Sequence, residues 1–254
     1  MKAGIDQYIL QHDLGLGAIE ELEGYLSPRE LSRARSLRYS DDRLDYVCSI
    51  LCLRVIVGRV LGVEPQNLNI VSSATGRPLI ENETDTLHFS LSRGKGTTAI
   101  AISQDMDIGI DIERLSLCCG LSNYLDYFLS NEEKCHFVTV PPLLRDGYLC
   151  KIWTTKEAAL KLLGLGLQLD PKNVVVDLSS LNRGGIQQIT IGDTITYLSN
   201  MQIDDYSISL ATPKPAQVKT TYLTASSLVE MVSSQFYPQC GNICVEGASR
   251  ELCA

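Results

Sequence analysis

Long apolar runs are absent from this chain. A membrane-spanning helix needs about eighteen consecutive apolar residues, and no such stretch occurs in the 254 residues. Met1-Lys2 is followed by Ala, Gly, Ile and Asp, not by the apolar core of a secretion signal. A cytoplasmic protein with no membrane partner is therefore expected. An excess of positive charge is also lacking: 22 Lys and Arg face 30 Asp and Glu, a formal net charge of −8. That argues against broad nucleic-acid binding, which needs a basic footprint. Nine cysteines is an odd number, and in a cytosolic chain no disulfide framework is expected. Cys48 and Cys52 have helical spacing among apolar residues and read as core. Cys240, Cys244 and Cys253 have loose spacing and no histidine nearby, so they read as free thiols and not as a zinc site.

What the chain does have is two chemically loaded segments. In Gly109-Ile110-Asp111-Ile112-Glu113-Arg114, two carboxylates interrupt an apolar, β-branched run that reads as a buried strand. Side chains alternate along a strand, so Asp111 and Glu113 share one face while Ile110 and Ile112 point into a core. Two adjacent carboxylates repel and are costly to bury unless positive charge lies between them. A hard divalent cation meets that need; the plainer alternative is a strand end whose acids face solvent. The second segment, Lys151 to Leu163, reads as a helix containing Trp153-Thr154-Thr155-Lys156-Glu157-Ala158-Ala159-Leu160-Lys161. Glu157 and Lys161, four residues apart, share a face. They form either a surface ion pair or a third carboxylate beside a phosphate-binding ammonium. Gly164 is placed to end the helix in a left-handed turn.

These blocks resemble the 4′-phosphopantetheinyl transferase superfamily. G-I-D-I-E, then W-x-x-K-E-A-x-x-K, then Gly164-Leu165-Gly166-Leu167 have its order and spacing. Tyr127-Phe128-Leu129-Ser130-Asn131-Glu132-Glu133 is similar to its F-F-S-x-x-E segment, Gly76-Arg77-Pro78 to its G-K-P, and Phe89 to Gly94 to its F-N-x-S-H-S. The resemblance covers roughly residues 25 to 212 and is to the larger, surfactin-type class. It implies transfer of the phosphopantetheine arm of coenzyme A to a serine of an acyl or peptidyl carrier protein, with release of 3′,5′-ADP. It implies Mg²⁺, or Mn²⁺, held by Asp111, Glu113 and Glu157, with Glu157 and Lys161 as catalytic residues. Coenzyme A would be contacted by Arg77, Ser92, Arg93, Lys156, Lys161 and, from the first helices, Arg43 and Arg54. Ser92 and Arg93 would hold its 3′-phosphate, Arg93 standing where a histidine is usual. Tyr124 and Tyr127 would help dock the carrier. A Mg²⁺-dependent phosphodiesterase or nuclease is the alternative chemistry, and a non-catalytic coenzyme A or carrier-binding homologue the alternative role.

The hydrophobic pattern gives an α+β chain. Helices are expected over Ser27–Tyr39 and Arg43–Leu61, then strands near Leu68–Val71, Leu87–Leu91 and Thr97–Ser103. After Asp107 a strand and helices precede a meander of Val174–Leu178, Gln187–Ile191, Thr194–Met201 and Ser207–Ala211. Each half reads as helices on a mostly antiparallel sheet. By the resemblance, this is a pseudo-duplicated monomer with its active site in the cleft between halves. Residues 1–105 would form the nucleotide-binding subdomain, 106–215 the metal-binding subdomain, and 216–254 an extension. Ser226–Phe236 reads as one amphipathic helix with Leu228, Met231 and Val232 inward.

Overall fold

The computed structural model describes residues 3–15, 19–73, 77–81, 87–179, 181 and 185–233. The fold is α+β. The chain opens with strand β1 (Ala3–Gln11) and helices α1 (Ile19–Glu23), α2 (Pro28–Ser36) and α3 (Ser40–Leu61). Short strands β2 (Ile70–Ser72) and β3 (Pro78–Ile80) precede the hairpin β4 (His88–Gly94) and β5 (Thr97–Ser103). Strand β6 (Gly109–Arg114) leads into a 3₁₀ stretch (Leu115–Tyr124), α4 (Leu125–Phe128), α5 (Asn131–Phe137) and the long α6 (Arg145–Leu163). The chain then runs through β7 (Ile186–Ile191), β8 (Thr194–Ile203), β9 (Tyr206–Thr212), β10 (Ala216–Thr224) and α7 (Ala225–Ser233).

Two four-stranded sheets carry the structure, in the orders β10-β1-β5-β4 and β6-β9-β8-β7. The second is antiparallel throughout. The first is mixed, because β10 runs parallel to β1 from Ala3↔Ala216 to Gln11↔Thr224. Alternation along the strands gives each sheet two apolar faces. Ile5, Ile9, Ala99 and Ala101 of the first sheet meet Ile110, Ile112, Ile208 and Leu210 of the second in a shared core. The opposite face of the first sheet is covered by α3 through Cys48, Leu51, Cys52 and Val55. That of the second is covered by α6 through Leu149, Ile152, Ala159 and Leu160. The layers therefore run helix, sheet, sheet, helix, and residues at the sheet–sheet seam are reached from both halves of the chain.

Local chemistry explains the key boundaries. α2 starts at a capping box: the Ser27 hydroxyl accepts from Glu30 N, and the Glu30 carboxylate accepts from Ser27 N at 2.7 Å. α6 stops at Gly164, whose φ of 67° only glycine adopts freely. The expected strand at Val174–Leu178 is not one. Val174, Val176 and Leu178 are buried against the α5–α6 core, but the segment pairs with no strand among the described residues. Apolar alternation signals burial on one side, and here a helix layer supplies it without a ladder. The helix expected at Ser226–Phe236 is α7, with Leu228 buried and Met231 and Val232 packed on α3's core. Its last three expected residues, with Cys240, Cys244 and Cys253, lie outside the described residues, as does Gly76.

Candidate active site

Gly109 sets the site's geometry. A Cβ there would lie 2.0 Å from Ala158 O and 2.5 Å from Leu162 N, so β6 crosses α6 at backbone-to-backbone distance. Pressed this close, the acidic face of β6 meets one row of α6: Trp153, Glu157 and Lys161, each four residues apart. As α6 advances, its partners run back along β6. The Trp153 indole N–H faces Glu113 and pulls its carboxyl down slightly. Lys161 Nζ donates to Asp111 Oδ1 at 2.7 Å and to Ile110 O at 3.1 Å. Glu157 lies between them in the row. Sequence reasoning had read Trp153 only as an apolar helix residue; its place in the 153/157/161 row was the signal that it faces the acids.

The electrostatics are those of crowded carboxylates. Asp111 is 4% exposed. Its Oδ1 accepts from Lys161 and from the Ser92 hydroxyl at 2.7 Å, while its buried Oδ2 has no hydrogen-bond partner among the described residues. Burial, then the Asp111 charge, pushes the Glu113 carboxyl up to about 7, against the opposing pull of Lys161. Burial and Asp111 also raise Glu157. One ammonium does not neutralise three acids, and an orphaned buried carboxylate oxygen is costly. Hard oxygen donors with a charge deficit fit a divalent cation. Among the described residues no three Asp, Glu, His or Cys side chains close into a ready cage. Mg²⁺ does not need one: it is held by one or two carboxylates and completed by substrate phosphate and water.

Ser92 and Arg93, adjacent on β4, go to different places. Ser92 turns inward to Asp111; the Arg93 guanidinium turns outward over the Tyr46 ring, 5.3 Å from its centroid. Period-two alternation requires this divergence, and Ser92 orients a carboxylate. Arg93 lines an open pocket of about 270 Å³ with Arg33, Tyr46, Lys95, Asp42 and Asp45. Arg77 lies at the same sheet edge, donating to Phe89 O at 3.3 Å and 3.6 Å from Asp107. His88 also contacts Asp107, at 3.0 Å, as a structural residue.

Three expected coenzyme A contacts are engaged elsewhere. Arg54 is fully buried: it pairs with Glu30 at 2.7 Å and donates to Pro65 O and Leu68 O. Lys156 is also fully buried, 2.7 Å from Glu133 and 3.1 Å from Pro171 O. Both pairs join a helix-capping glutamate to a neighbouring helix, since Glu133 closes a second capping box with Ser130. They are structural, and no anion reaches either cation. Arg43 is paired with Glu23 of α1. Tyr124 and Tyr127 are surface residues, 56% and 73% exposed, with ring centroids 6.0 Å apart. Phe128, next to Tyr127 in the chain, is core, edge-on to Trp153 at 5.5 Å. No helix among the described residues is long and apolar enough to cross a membrane.

Part of the chain is similar to known proteins. Residues 107–211, which hold β6 through most of β9, match the family model of the 4′-phosphopantetheinyl transferase superfamily. The chain is 28% identical over 151 residues to the 4′-phosphopantetheinyl transferase HetI of Nostoc sp., covering 59% of this chain and 64% of that one. It is 20% identical over 219 residues to the 4′-phosphopantetheinyl transferase psf-1 of Bacillus pumilus, covering 85% and 91%. It is 21% identical over 174 residues to the human L-aminoadipate-semialdehyde dehydrogenase-phosphopantetheinyl transferase, covering 62% and 54%. The matched region thus spans a little under two thirds of the Nostoc relative's length.

Proposed function

We propose that the chain is a member of the 4′-phosphopantetheinyl transferase superfamily, whose model matches residues 107–211, and that it transfers the 4′-phosphopantetheine arm of coenzyme A to a serine of an acyl or peptidyl carrier protein, releasing 3′,5′-ADP. The observation that carries this is the row Trp153–Glu157–Lys161 laid against Glu113 and Asp111. We read the architecture as surfactin-type: a duplicated monomer, residues 1–105 and 106–215, with coenzyme A in the cleft between halves. A nuclease and a non-catalytic homologue find no support among the relatives.

Asp111, Glu113 and Glu157 would hold Mg²⁺. When bound, the cation neutralises charge on the pyrophosphate oxygens. The Ser92 hydroxyl and Lys161 ammonium hold Asp111 Oδ1 in place, leaving Oδ2 for a ligand. Lys161 Nζ presents positive charge to the leaving phosphate. Glu157 is also placed to take the proton from the attacking serine hydroxyl, directly or through water, a role it would share with holding the cation. Arg93, Arg33 and Lys95 at the open pocket would bind the 3′-phosphate, a guanidinium being charged throughout the working pH range. Arg77 would contact the nucleotide end, and Tyr124 and Tyr127 the carrier.

The test is intact mass of an apo carrier protein after incubation with this protein, coenzyme A and Mg²⁺. The carrier should gain the mass of the phosphopantetheine arm, and chelator should abolish the gain. No gain with fatty-acid, polyketide and peptide carriers alike, with coenzyme A still bound, would leave only a binding role.

Metal affinity should depend on pH with a definite sign. Glu113 is raised to about 7, so between its unfolded value and 7 the folded protein retains a proton there. Ionising it becomes increasingly costly to the fold as pH rises through that window, and a bound cation relieves that cost. Mg²⁺ should therefore bind more tightly at pH 8 than at pH 6 and release protons on binding at pH 6.5. Equal affinity at both pH values by calorimetry would remove Glu113 from the ligand set.

A further inference from the structure

We infer that His12 and Asp45 form a charge-paired latch that positions the Arg93 pocket and lets it distinguish a 3′-phosphorylated nucleotide from its dephosphorylated form. The inference rests on the coenzyme A reading above.

The pocket poses a problem for an anion site, because two of its lining residues, Asp42 and Asp45, are acids. Asp42 is offset by Lys95, whose Nζ lies at 3.3 Å. Asp45 is offset from beneath. Its Oδ1 lies 2.6 Å from Nδ1 of His12, a side chain only 1% exposed. The same carboxylate accepts from Gly96 N at 3.2 and 3.3 Å, and His12 N donates to Gly96 O at 3.0 Å. Asp45 and His12 thus clamp both polar groups of Gly96, the turn residue of the β4–β5 hairpin, whose φ of 78° is left-handed. That hairpin carries Arg93 and Lys95. The helix bearing Asp45, α3, carries Tyr46, the ring beneath Arg93. The latch therefore fixes the distance between the two walls of the pocket.

Counting hydrogens defines the charge. Ser49 Oγ donates to Asp45 O at 2.5 Å. Ser49 Oγ and Thr98 Oγ1 are 2.6 Å apart, so the hydrogen between them must come from Thr98. Thr98 then has none left for His12 Nε2, which lies 2.9 Å away; Nε2 must donate. Both Asp45 oxygens accept from Gly96 N, and an imidazole is more basic than a carboxylate, so the hydrogen between Nδ1 and Oδ1 sits on Nδ1. The chain His12 → Thr98 → Ser49 → Asp45 O is complete only with protons on both ring nitrogens. His12 is then a buried cation neutralising the one acid that would otherwise repel a bound phosphate, and breaking such a pair leaves an uncompensated charge facing it.

The experiment compares calorimetric affinities for coenzyme A and 3′-dephospho-coenzyme A in the wild-type protein, His12→Leu and His12→Gln, with transfer rates at saturating coenzyme A. His12→Leu should weaken coenzyme A about 10-fold, with less than about twofold change for the dephosphorylated form. The maximal transfer rate should persist while KM for coenzyme A rises. His12→Gln puts its amide in the place of Nε2, keeping the contact to Thr98 but leaving Asp45 without its partner, and should weaken coenzyme A as His12→Leu does. In the wild-type protein, ¹⁵N spectra at pH 7 should show both His12 ring nitrogens protonated. Should His12→Leu fail to fold, His12→Gln gives the same readout, while His12→Asn, whose amide stands in the place of Nδ1, keeps a neutral donor to Asp45 and should fall between it and the wild-type protein. Equal weakening of both ligands, no weakening, or a neutral imidazole overturns the latch and leaves the coenzyme A reading standing. Failure of the wild-type protein to bind coenzyme A overturns both.

Discussion

Asp111→Ala should lower phosphopantetheine transfer at least ~10³-fold while the protein remains folded. Asp111 is the one carboxylate of the site that is almost wholly buried, and its Oδ2 has no hydrogen-bond partner among the described residues. Without it, Lys161 keeps Ile110 O and is 29% exposed, so its ammonium can hydrate instead of standing as a bare buried charge. Removing a negative charge also relieves Glu113 and Glu157, both of which Asp111 pushes up. The fold therefore loses a hydrogen-bonded pair but also a repulsion, and the melting temperature should move by only a few degrees. A second signature follows: Glu113 should titrate below its present value of about 7, because one cause of the raise is gone. Transfer within ~10-fold of the unmodified protein would mean that Asp111 is not a metal ligand.

Gly109→Ala should fail differently, losing stability and activity together. The added methyl would meet Ala158 O and Leu162 N, both backbone atoms of α6, so no flexible side chain can move aside. The helix must shift bodily, lifting Glu157 and Lys161 from Asp111. Forcing volume into a packed contact costs ~3 kcal/mol or more. For a chain of this size that corresponds to a fall in melting temperature of about 10 °C. Thermal unfolding followed by circular dichroism, beside the transfer assay, separates this outcome from that of Asp111→Ala. A melting temperature within ~2 °C and a normal rate would show that β6 and α6 are not in backbone contact.

Much of the site was legible because local periodicity carries it. Alternation along 109–114 put Asp111 opposite the core, and fourfold spacing put Glu157 and Lys161 on one face; both placements hold in the structure. The same alternation separates Ser92 from Arg93, although the family resemblance alone had assigned them jointly to one phosphate. The assignments that did not survive concern cations. Arg54 and Lys156 look like anion contacts until Glu30 and Glu133 are seen beside them. Nothing along the chain announces that two helix-capping glutamates will reach across to neutralise them. Val174–Leu178 shows the converse: its buried alternation was readable, but whether a strand or a helix layer covers it was not.

The sequence by itself determined the acidic strand, the helical row that answers it and the glycine that lets them touch, since each depends on the 2.0- and 3.6-residue repeats of the backbone. The order of its blocks also carries the resemblance to the superfamily whose model matches residues 107–211. Only the tertiary structure decided which charges are available. A charged side chain's role depends on what partners it and how far it is removed from water. Those partners come from distant segments: Glu133 for Lys156, Glu30 for Arg54, Asp45 and Thr98 for His12. The return of β10 to pair with β1 belongs to the same class, a register between residues more than two hundred positions apart. Long-range pairing costs loop entropy that no local pattern records, so it can be read only once the chain has closed on itself.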